Sequence, residues 1–527
     1  MKKKSLVTIV AILCVAVLVG AWFGIYALSV NFGTTTITLD TSKTYQTMNG
    51  FGASSAWNYQ EMGRRANEDT IDQAIEMLYG DSGLGLNTFR YNVGAGGVEV
   101  DTYEDPLRGA ESFFVAENFN GEYSAFSDPS NYDFTRDEAV RKMFEKALAT
   151  GNIKQIVFFA NSPHYLMTLN QKTHGETPYV NNLKEDCYEA FSDYMLIIVN
   201  ELCKKYEIGN DVKIFISPVN EPQWKWGDNG EDKATQEGCH YDPAVLAKFY
   251  DVFYKKLTEF NKENSTEYIM DIFESGNYKM ILSKRTNFNE YMTEFEKYDY
   301  FKDLTHISVH SYGADMSKYY RNVFADYMEK YYPQINVTVS EYCTLEWEVD
   351  KTMNMGLHFG KVVMRDLAIL NATDWQHWLS IAIGNVDKGV GDYEDAFVYW
   401  LTEKEDEHNK EGHEHKEDVL DVSKRYYVMG QFSKYVQQGS VRIKSGYSDF
   451  MQMNGLECVA FENPDGSVVL ITLNASDRAR NIKIKGGYAH VKEIVTNDDE
   501  NWKISEYENN GSLQISGKSV TTFVFTK

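Results

Sequence analysis

The feature that most constrains this chain is an alternation of two hydrophobic periods between about Met48 and Gln437. Short apolar runs that read as strands recur at 87–92, 155–160, 213–218, 269–273, 306–309, 336–340 and 373–379, with a first one near 49–53. Longer amphipathic stretches separate them, among them 137–150, 185–206 and 244–261. In the second of these, Tyr188, Phe191, Met195, Ile198 and Leu202 fall on one face at helical spacing. Strands separated by helices pair in parallel, because each helix carries the chain back to the same edge. Eight such strands predict an α/β chain folded as a (β/α)8 TIM barrel. There is no fixed-period repeat, which disfavours a solenoid or propeller.

The flanks read differently. From about Val441 onward, short alternating runs such as 467–473 and 519–525 are separated by turn signals, Asn463-Pro464-Asp465-Gly466 and Asn509-Asn510-Gly511. This is an all-β module, and the Thr-rich run at 34–39 can join it. Met1-Lys2-Lys3-Lys4 precedes an uncharged, mostly apolar stretch at 5–30, the pattern that directs export. The stretch is long enough to span a bilayer, which favours an uncleaved anchor with its lysines inside. Ala27-Leu28-Ser29 also offers a cleavage site. The expected organisation is a signal peptide or membrane anchor at 1–30, an N-terminal strand of the β-domain at 31–47, the barrel at 48–437 and the C-terminal β-domain at 438–527. The expected location is extracellular, either secreted or held at the membrane by residues 5–30.

Composition narrows the partners. A net charge of −25 leaves no basic excess to neutralise phosphates, which argues against a nucleic-acid partner. It fits a neutral or weakly charged substrate. The 36 Tyr and 9 Trp supply a large core, or flat faces on which sugars stack. The cysteines (Cys14, Cys187, Cys203, Cys239, Cys343 and Cys458) are scattered, with no disulfide framework and no C-x-x-C pair. The segment 402–418 is dense in charge and carries His408, His413 and His415. It reads as a solvated loop in preference to a metal site.

In a barrel enzyme the reactive groups stand at the C-terminal ends of strands. Two glutamates directly follow apolar runs. Glu221 lies in Ser217-Pro218-Val219-Asn220-Glu221-Pro222, where Pro222 ends any ladder and Asn220 can bind a sugar hydroxyl. Glu341 lies in Ser340-Glu341-Tyr342 and is preferred to Glu346, which falls inside the next loop. Two carboxyls suffice to hydrolyse an acetal: one gives the leaving oxygen a proton, the other attacks the anomeric carbon or activates water. Around them, Arg90 could hold a carboxylate ionised, His310 or Tyr312 could hydrogen-bond one, and Trp375 or Trp378 could floor a sugar subsite. Gly94-Ala95-Gly96-Gly97 lacks the spacing of a phosphate loop, and neither a G-x-S-x-G elbow nor an H-E-x-x-H motif occurs.

The order of Gly50-Phe51-Gly52-Ala53-Ser54, Phe89-Arg90-Tyr91-Asn92, Asn161-Ser162-Pro163, Asn220-Glu221-Pro222, His310-Ser311-Tyr312 and Ser340-Glu341-Tyr342 resembles glycoside hydrolase family 30. The stretch 427–435 looks like that family's return into its side β-domain. The resemblance implies a barrel fused to a β-sandwich built from both chain ends, and a retaining mechanism. It implies Glu221 as acid/base, Glu341 as nucleophile, and Asn220 on the substrate 2-hydroxyl. Trp57, Arg90, Tyr312 and Trp375 would surround the reacting sugar, and no cofactor or metal is expected. Gln236-Glu237-Gly238-Cys239 looks most like the endo-β-1,6-galactanase branch, which act on arabinogalactan side chains. Endo-β-1,6-glucanase and xylanase are the alternatives within the family. A non-catalytic cell-surface glycan-binding protein is the alternative outside it. In each case the partner is a polysaccharide or oligosaccharide, and the membrane is met only through the N-terminal segment.

Overall fold

A computed structural model describes residues 14–18, 20–21, 34–101, 103, 105–227, 235–283, 287–345, 349–385, 389–390, 395–403, 417–446, 455–485 and 488–526. Glu346, most of the 5–30 segment and residues 404–416 of the charged loop lie outside them. Among the described residues no helix is long and apolar enough to cross a membrane.

The first strand, β1 (Thr34–Thr47), bypasses the barrel. The barrel is built from β2 (Gly50–Ser54), β3 (Thr88–Asn92), β4 (Gln155–Phe159), β5 (Lys213–Ser217), β6 (Ile269–Met270), β7 (His306–His310), β8 (Asn336–Glu341) and β9 (Asp374–Asn385). Most of these strands are buried on both faces, as parallel strands wrapped by helices must be. Ladders run parallel from β2 through β6, and β9 pairs with both β8 and β2. The fifth strand is shorter than its apolar run. Glu274 takes a positive φ of 49°, and the regular ladder gives way to separate bonds. Ser308 N donates to Ile272 O (2.7 Å) and His310 N to Ser275 O (2.8 Å), joining this segment to β7.

Helices between the strands cover the outside. In Tyr188–Lys205, the five residues placed on one face by spacing are all buried. Pro243 opens Pro243–Asn264, where its missing N–H costs nothing. β9 extends past Leu379 because its buried residues pair in parallel with β11 (Ala396–Thr402), which β12 (Val419–Val422) flanks. β10 (Gly389–Val390) pairs with the end of β9.

The remaining strands, β13 (Val441–Gly446), β14 (Leu456–Glu462), β15 (Val468–Asn474), β16 (Arg480–Lys485), β17 (His490–Thr496), β18 (Lys503–Glu508), β19 (Ser512–Ile515) and β20 (Ser519–Thr526), form a second sheet. Its order is β18-β17-β20-β15-β14-β13-β1-β16-β19, so β1 is an interior strand. Ile37, Ile443, Leu470, Ile482, Phe523 and Phe525 form its own core. Alternate residues of β15 and β20 (Val469, Ile471, Leu473, Val520) join the main core, against helices Met353–Ala368 and Lys424–Ser433. Gly360 permits that approach: a Cβ there would stand 3.0 Å from Val428 and 3.2 Å from Leu473. The five cysteines of the body are buried free thiols.

Candidate active site

The C-terminal ends of β3, β5, β7 and β8 converge on one buried polar cluster. Arg90 faces inward from the middle of β3 and is fully buried. Its Nη1 donates to Glu341 Oε2 (2.8 Å), and its Nη2 to Asn220 Oδ1 (3.2 Å) and Glu274 Oε1 (3.3 Å). The guanidinium lies 3.7 Å from the centre of the Phe159 ring, whose face favours a cation. Glu341 is the last residue of β8. Tyr312 donates its hydroxyl to Glu341 Oε1 (3.0 Å). Glu221 follows β5 with a positive φ of 45°, and its N–H donates to Glu274 O (2.9 Å). The Trp226 indole donates to Glu221 O (2.8 Å), and Asn220 donates to Asn161 Oδ1 (3.0 Å).

His310, at the end of β7, sits among the carboxylates. Its Nδ1 lies 3.0 Å from Glu221 Oε1 and 3.6 Å from Glu341 Oε1, and its Nε2 lies 2.9 Å from Glu274 Oε2. Burial opposes a charge on the ring. The Glu341 charge and the hydrogen bonds to Glu221 and Glu274 outweigh it and push the imidazole up to about 10. For Glu341 burial acts upward and wins, against the opposing charges of His310 and Arg90. One nitrogen of His310 and one oxygen from each of Glu221 and Glu341 lie within 4.8 Å of one another. Three such atoms could meet a metal ion. However, a histidine protonated on both nitrogens offers no lone pair, and Glu341 already accepts from Arg90 and Tyr312.

Six of the residues singled out by sequence thus meet: Arg90, Asn220, Glu221, His310, Tyr312 and Glu341. Trp378 and Trp57 meet edge to face beside them, ring centres 5.1 Å apart, and the Arg90 guanidinium lies 5.6 Å from the Trp378 ring. The indole nitrogen of Trp57 is buried with no hydrogen-bond partner among the described residues. Trp375 requires a correction, because it does not reach the cluster. Side chains alternate along β9, so Asp374 and Gln376 face inward while Trp375 faces the helix layer. There it packs edge-on against Phe359 and donates to Asp366 Oδ2 (3.0 Å). Trp375→Phe removes a hydrogen bond to a buried carboxylate. We expect it to cost about 1.5–3 kcal/mol of stability in chemical denaturation and to change kcat/KM only a few-fold. Trp378→Ala is expected to raise KM by roughly 10-fold, the equivalent of about 1.4 kcal/mol of lost contact, in steady-state kinetics.

One central residue was missed. Glu274 is fully buried and accepts from Arg90, His310, Ser217 Oγ (3.2 Å) and Ser340 Oγ. It directly follows the apolar run 269–273, so the rule that found Glu221 and Glu341 also reaches it. The stretch Gln236-Glu237-Gly238-Cys239 forms a wall of the same mouth. Glu237 Oε1 accepts from Gly97 N (3.0 Å) and Ala110 N (3.1 Å), tying this loop to the one after β3. Burial pushes its carboxyl up to about 8. Gly238 makes room for Trp226, since a Cβ would fall 2.3 Å from the indole.

A parallel barrel whose mouth joins two adjacent carboxyls to aromatic walls is the arrangement of a glycoside hydrolase. Residues 34–399 match the model described as O-Glycosyl hydrolase family 30, and residues 439–523 match the Glycosyl hydrolase family 30 beta sandwich domain. The chain belongs to O-glycosyl hydrolase family 30. It is 25% identical over 423 residues to an endo-beta-1,6-galactanase of Hypocrea rufa, covering 77% of this chain and 75% of that one. It is 27% identical over 255 residues to an exo-beta-1,6-galactobiohydrolase of Bifidobacterium longum subsp. longum, 39% of this chain and 16% of the relative. A conserved exported protein from Bacteroides fragilis has a similar fold, with a TM-score of 0.74 at 21% identity over 93% of this chain and 100% of that one.

Proposed function

We propose that this protein is an exported, retaining endo-β-1,6-galactanase in which Glu341 is the nucleophile and Glu221 the acid/base. The observation that carries the mechanism is the close approach of the two carboxyls, within the 4.8 Å cluster that includes His310. Retaining enzymes hold their carboxyls about 5–5.5 Å apart, whereas inverting ones leave about 6.5–9.5 Å for a water. Glu341 attacks the anomeric carbon while Glu221 protonates the departing oxygen. A water, deprotonated by Glu221, then releases the sugar from Glu341 with its configuration restored. Arg90 and Tyr312 hold Glu341 in its attacking orientation. Asn220, fixed by Asn161 and Arg90, faces the substrate 2-hydroxyl. Trp57 and Trp378 floor the subsite.

The similarity to two proteins named for β-1,6-galactan cleavage supports galactan as the substrate, and the basic N-terminus before an apolar run supports export. The test is product analysis on β-1,6-galactan (with and without arabinose), β-1,6-glucan and xylan, with the first-formed anomer read by proton NMR. We expect β-1,6-linked galacto-oligosaccharides released in the β configuration. An α product would refute retention, and products from glucan or xylan alone would refute the galactan assignment. Binding without any product would favour the glycan-binding alternative.

A further inference from the structure

Glu274 stands outside the carboxyl pair that the reaction requires, yet its carboxylate accepts from Arg90, His310, Ser217 and Ser340. It shares Arg90 with Glu341 and shares His310 with Glu221 and Glu341. We propose that Glu274 is a positioning residue that keeps His310 a standing imidazolium and thereby dictates which oxygen of Glu221 carries the catalytic proton. This inference rests on the roles proposed above for Glu221 and Glu341.

The argument begins with the hydrogen bonds of one ring. A neutral imidazole has one N–H and one lone pair, so it can donate to only one carboxylate. His310 is fully buried and places both nitrogens within 3.0 Å of a carboxylate oxygen. The arrangement is satisfied when Nε2–H donates to Glu274 Oε2 and Nδ1–H donates to Glu221 Oε1. Glu221 Oε1 is then an acceptor, and the acid's proton must sit on Oε2, the oxygen left for the glycosidic bond. Were His310 neutral with its proton on Nε2, its bare Nδ1 would accept the proton of Glu221 and withdraw it from the substrate.

Charge balance points the same way. In the state ready to react, Arg90 and His310 carry two positive charges, Glu274 and Glu341 carry two negative ones, and Glu221 is protonated. The buried cluster is neutral, as a low-dielectric site requires. Burial works against ionisation of Glu274, but Arg90 and the bonds from His310 and Ser340 hold its carboxyl down at about 2. It therefore stays charged at neutral pH. Without that charge the cluster is positive by one, and the His310–Glu221 pair gives up a proton at lower pH. Where Glu221 itself loses it, or a ring left bare at Nδ1 takes the proton of Glu221, the protonated acid is depleted, so the basic limb of the rate profile moves down.

The experiment is the pH profile of kcat/KM for wild type, Glu274→Gln and Glu274→Asp, with 15N NMR of histidine-labelled protein and His310 assigned by difference from His310→Gln. For Glu274→Gln we expect about a 100-fold loss of kcat/KM and a basic limb about one pH unit lower. Glu274→Asp, which restores the charge, is expected to return the limb toward its wild-type position. In wild type, His310 is expected to show two protonated nitrogens at pH 8. A loss of rate with an unmoved limb would mean Glu274 only holds the fold, and would overturn the proposal. So would a neutral His310 in the wild-type spectrum at pH 8, a readout that stands even if Glu274→Gln does not fold. The underlying assignment fails by a different route. If Glu221→Gln kept near-wild-type activity, the acid/base role itself would be wrong, whatever Glu274 did.

Discussion

Glu341→Gln is expected to lose activity on every substrate by roughly 10⁴-fold or more, whereas Glu221→Gln is expected to lose it selectively. Without Glu341 no covalent intermediate forms, and the amide of Gln is neither charged nor nucleophilic. A loss of that size equals about 5.5 kcal/mol of barrier at about 1.4 kcal/mol per tenfold. In the proposed mechanism Glu221 contributes a proton, and how much that matters depends on the leaving oxygen. A polysaccharide alkoxide is a poor leaving group and needs the proton, so the loss there should approach the upper end of the roughly 10²–10⁴-fold attributed to general acid catalysis. An aryl glycoside with an acidic phenol leaves unaided. For that substrate Glu221→Gln should retain glycosylation and stall at hydrolysis, showing a burst of phenol followed by a slow steady rate. Stopped-flow absorbance separates the two phases. Equal losses on both substrates for both variants would mean the two roles are not divided as proposed.

Arg90→Leu is expected to destabilise the protein by about 3–5 kcal/mol, the usual consequence of removing one partner from a buried ion cluster. Arg90 is fully buried and bonds Glu341, Glu274 and Asn220 at once, so its loss strands two carboxylates beside a single histidine. The pH dependence has a definite sign. Arg90 helps hold Glu274 at about 2, below the roughly 4.3 of an unfolded glutamate. A carboxyl depressed in the folded state adds stability above its unfolded value and loses it as pH falls through its folded value. The gap between wild type and Arg90→Leu should therefore be widest near neutral pH, begin to narrow below about pH 4 and close only as pH falls through about 2. Urea denaturation at pH 7 and pH 3.5 measures it. The double variant Arg90→Leu, Glu274→Gln should regain part of the lost stability and none of the lost activity. A constant gap at both pH values would mean that Arg90 contributes through packing on Phe159, with its charge playing no part.

The alternation of strand and helix periods was legible because it follows from local geometry. A strand buried on both faces must be a short apolar run, and a covering helix must present one apolar face. The carboxylates at the ends of β5 and β8 were legible for a related reason, since a charged residue directly after such a run marks where the chain leaves the core. Glu274 was equally visible by that rule and was passed over. Its run, 269–273, forms only a two-residue strand, Ile269–Met270, and no Asn-Glu-Pro-like motif drew attention to it.

What Trp375 and Trp378 do could not be read from their spacing. Three residues apart on one strand, they face opposite sides of the sheet, and a shift of register between β2 and β9 falls at this point. Either could have been the inward one until the pairing with Gly50–Ser54 was known. Likewise β11 and β12 carry too little of their own pattern to announce that they extend β9. The sequence by itself determined the number and order of the eight barrel strands, the two-part architecture and the types of residue available for chemistry, because these depend on local period and composition. Only the tertiary structure decided that β1, whose run could be assigned to the C-terminal module, lies inside its sheet between β13 and β16. It alone decided that Arg90, Glu274, His310, Glu221 and Glu341 share one buried, charge-balanced cluster. Contacts between residues as much as 251 positions apart depend on barrel closure and register, and neither is encoded in any single segment.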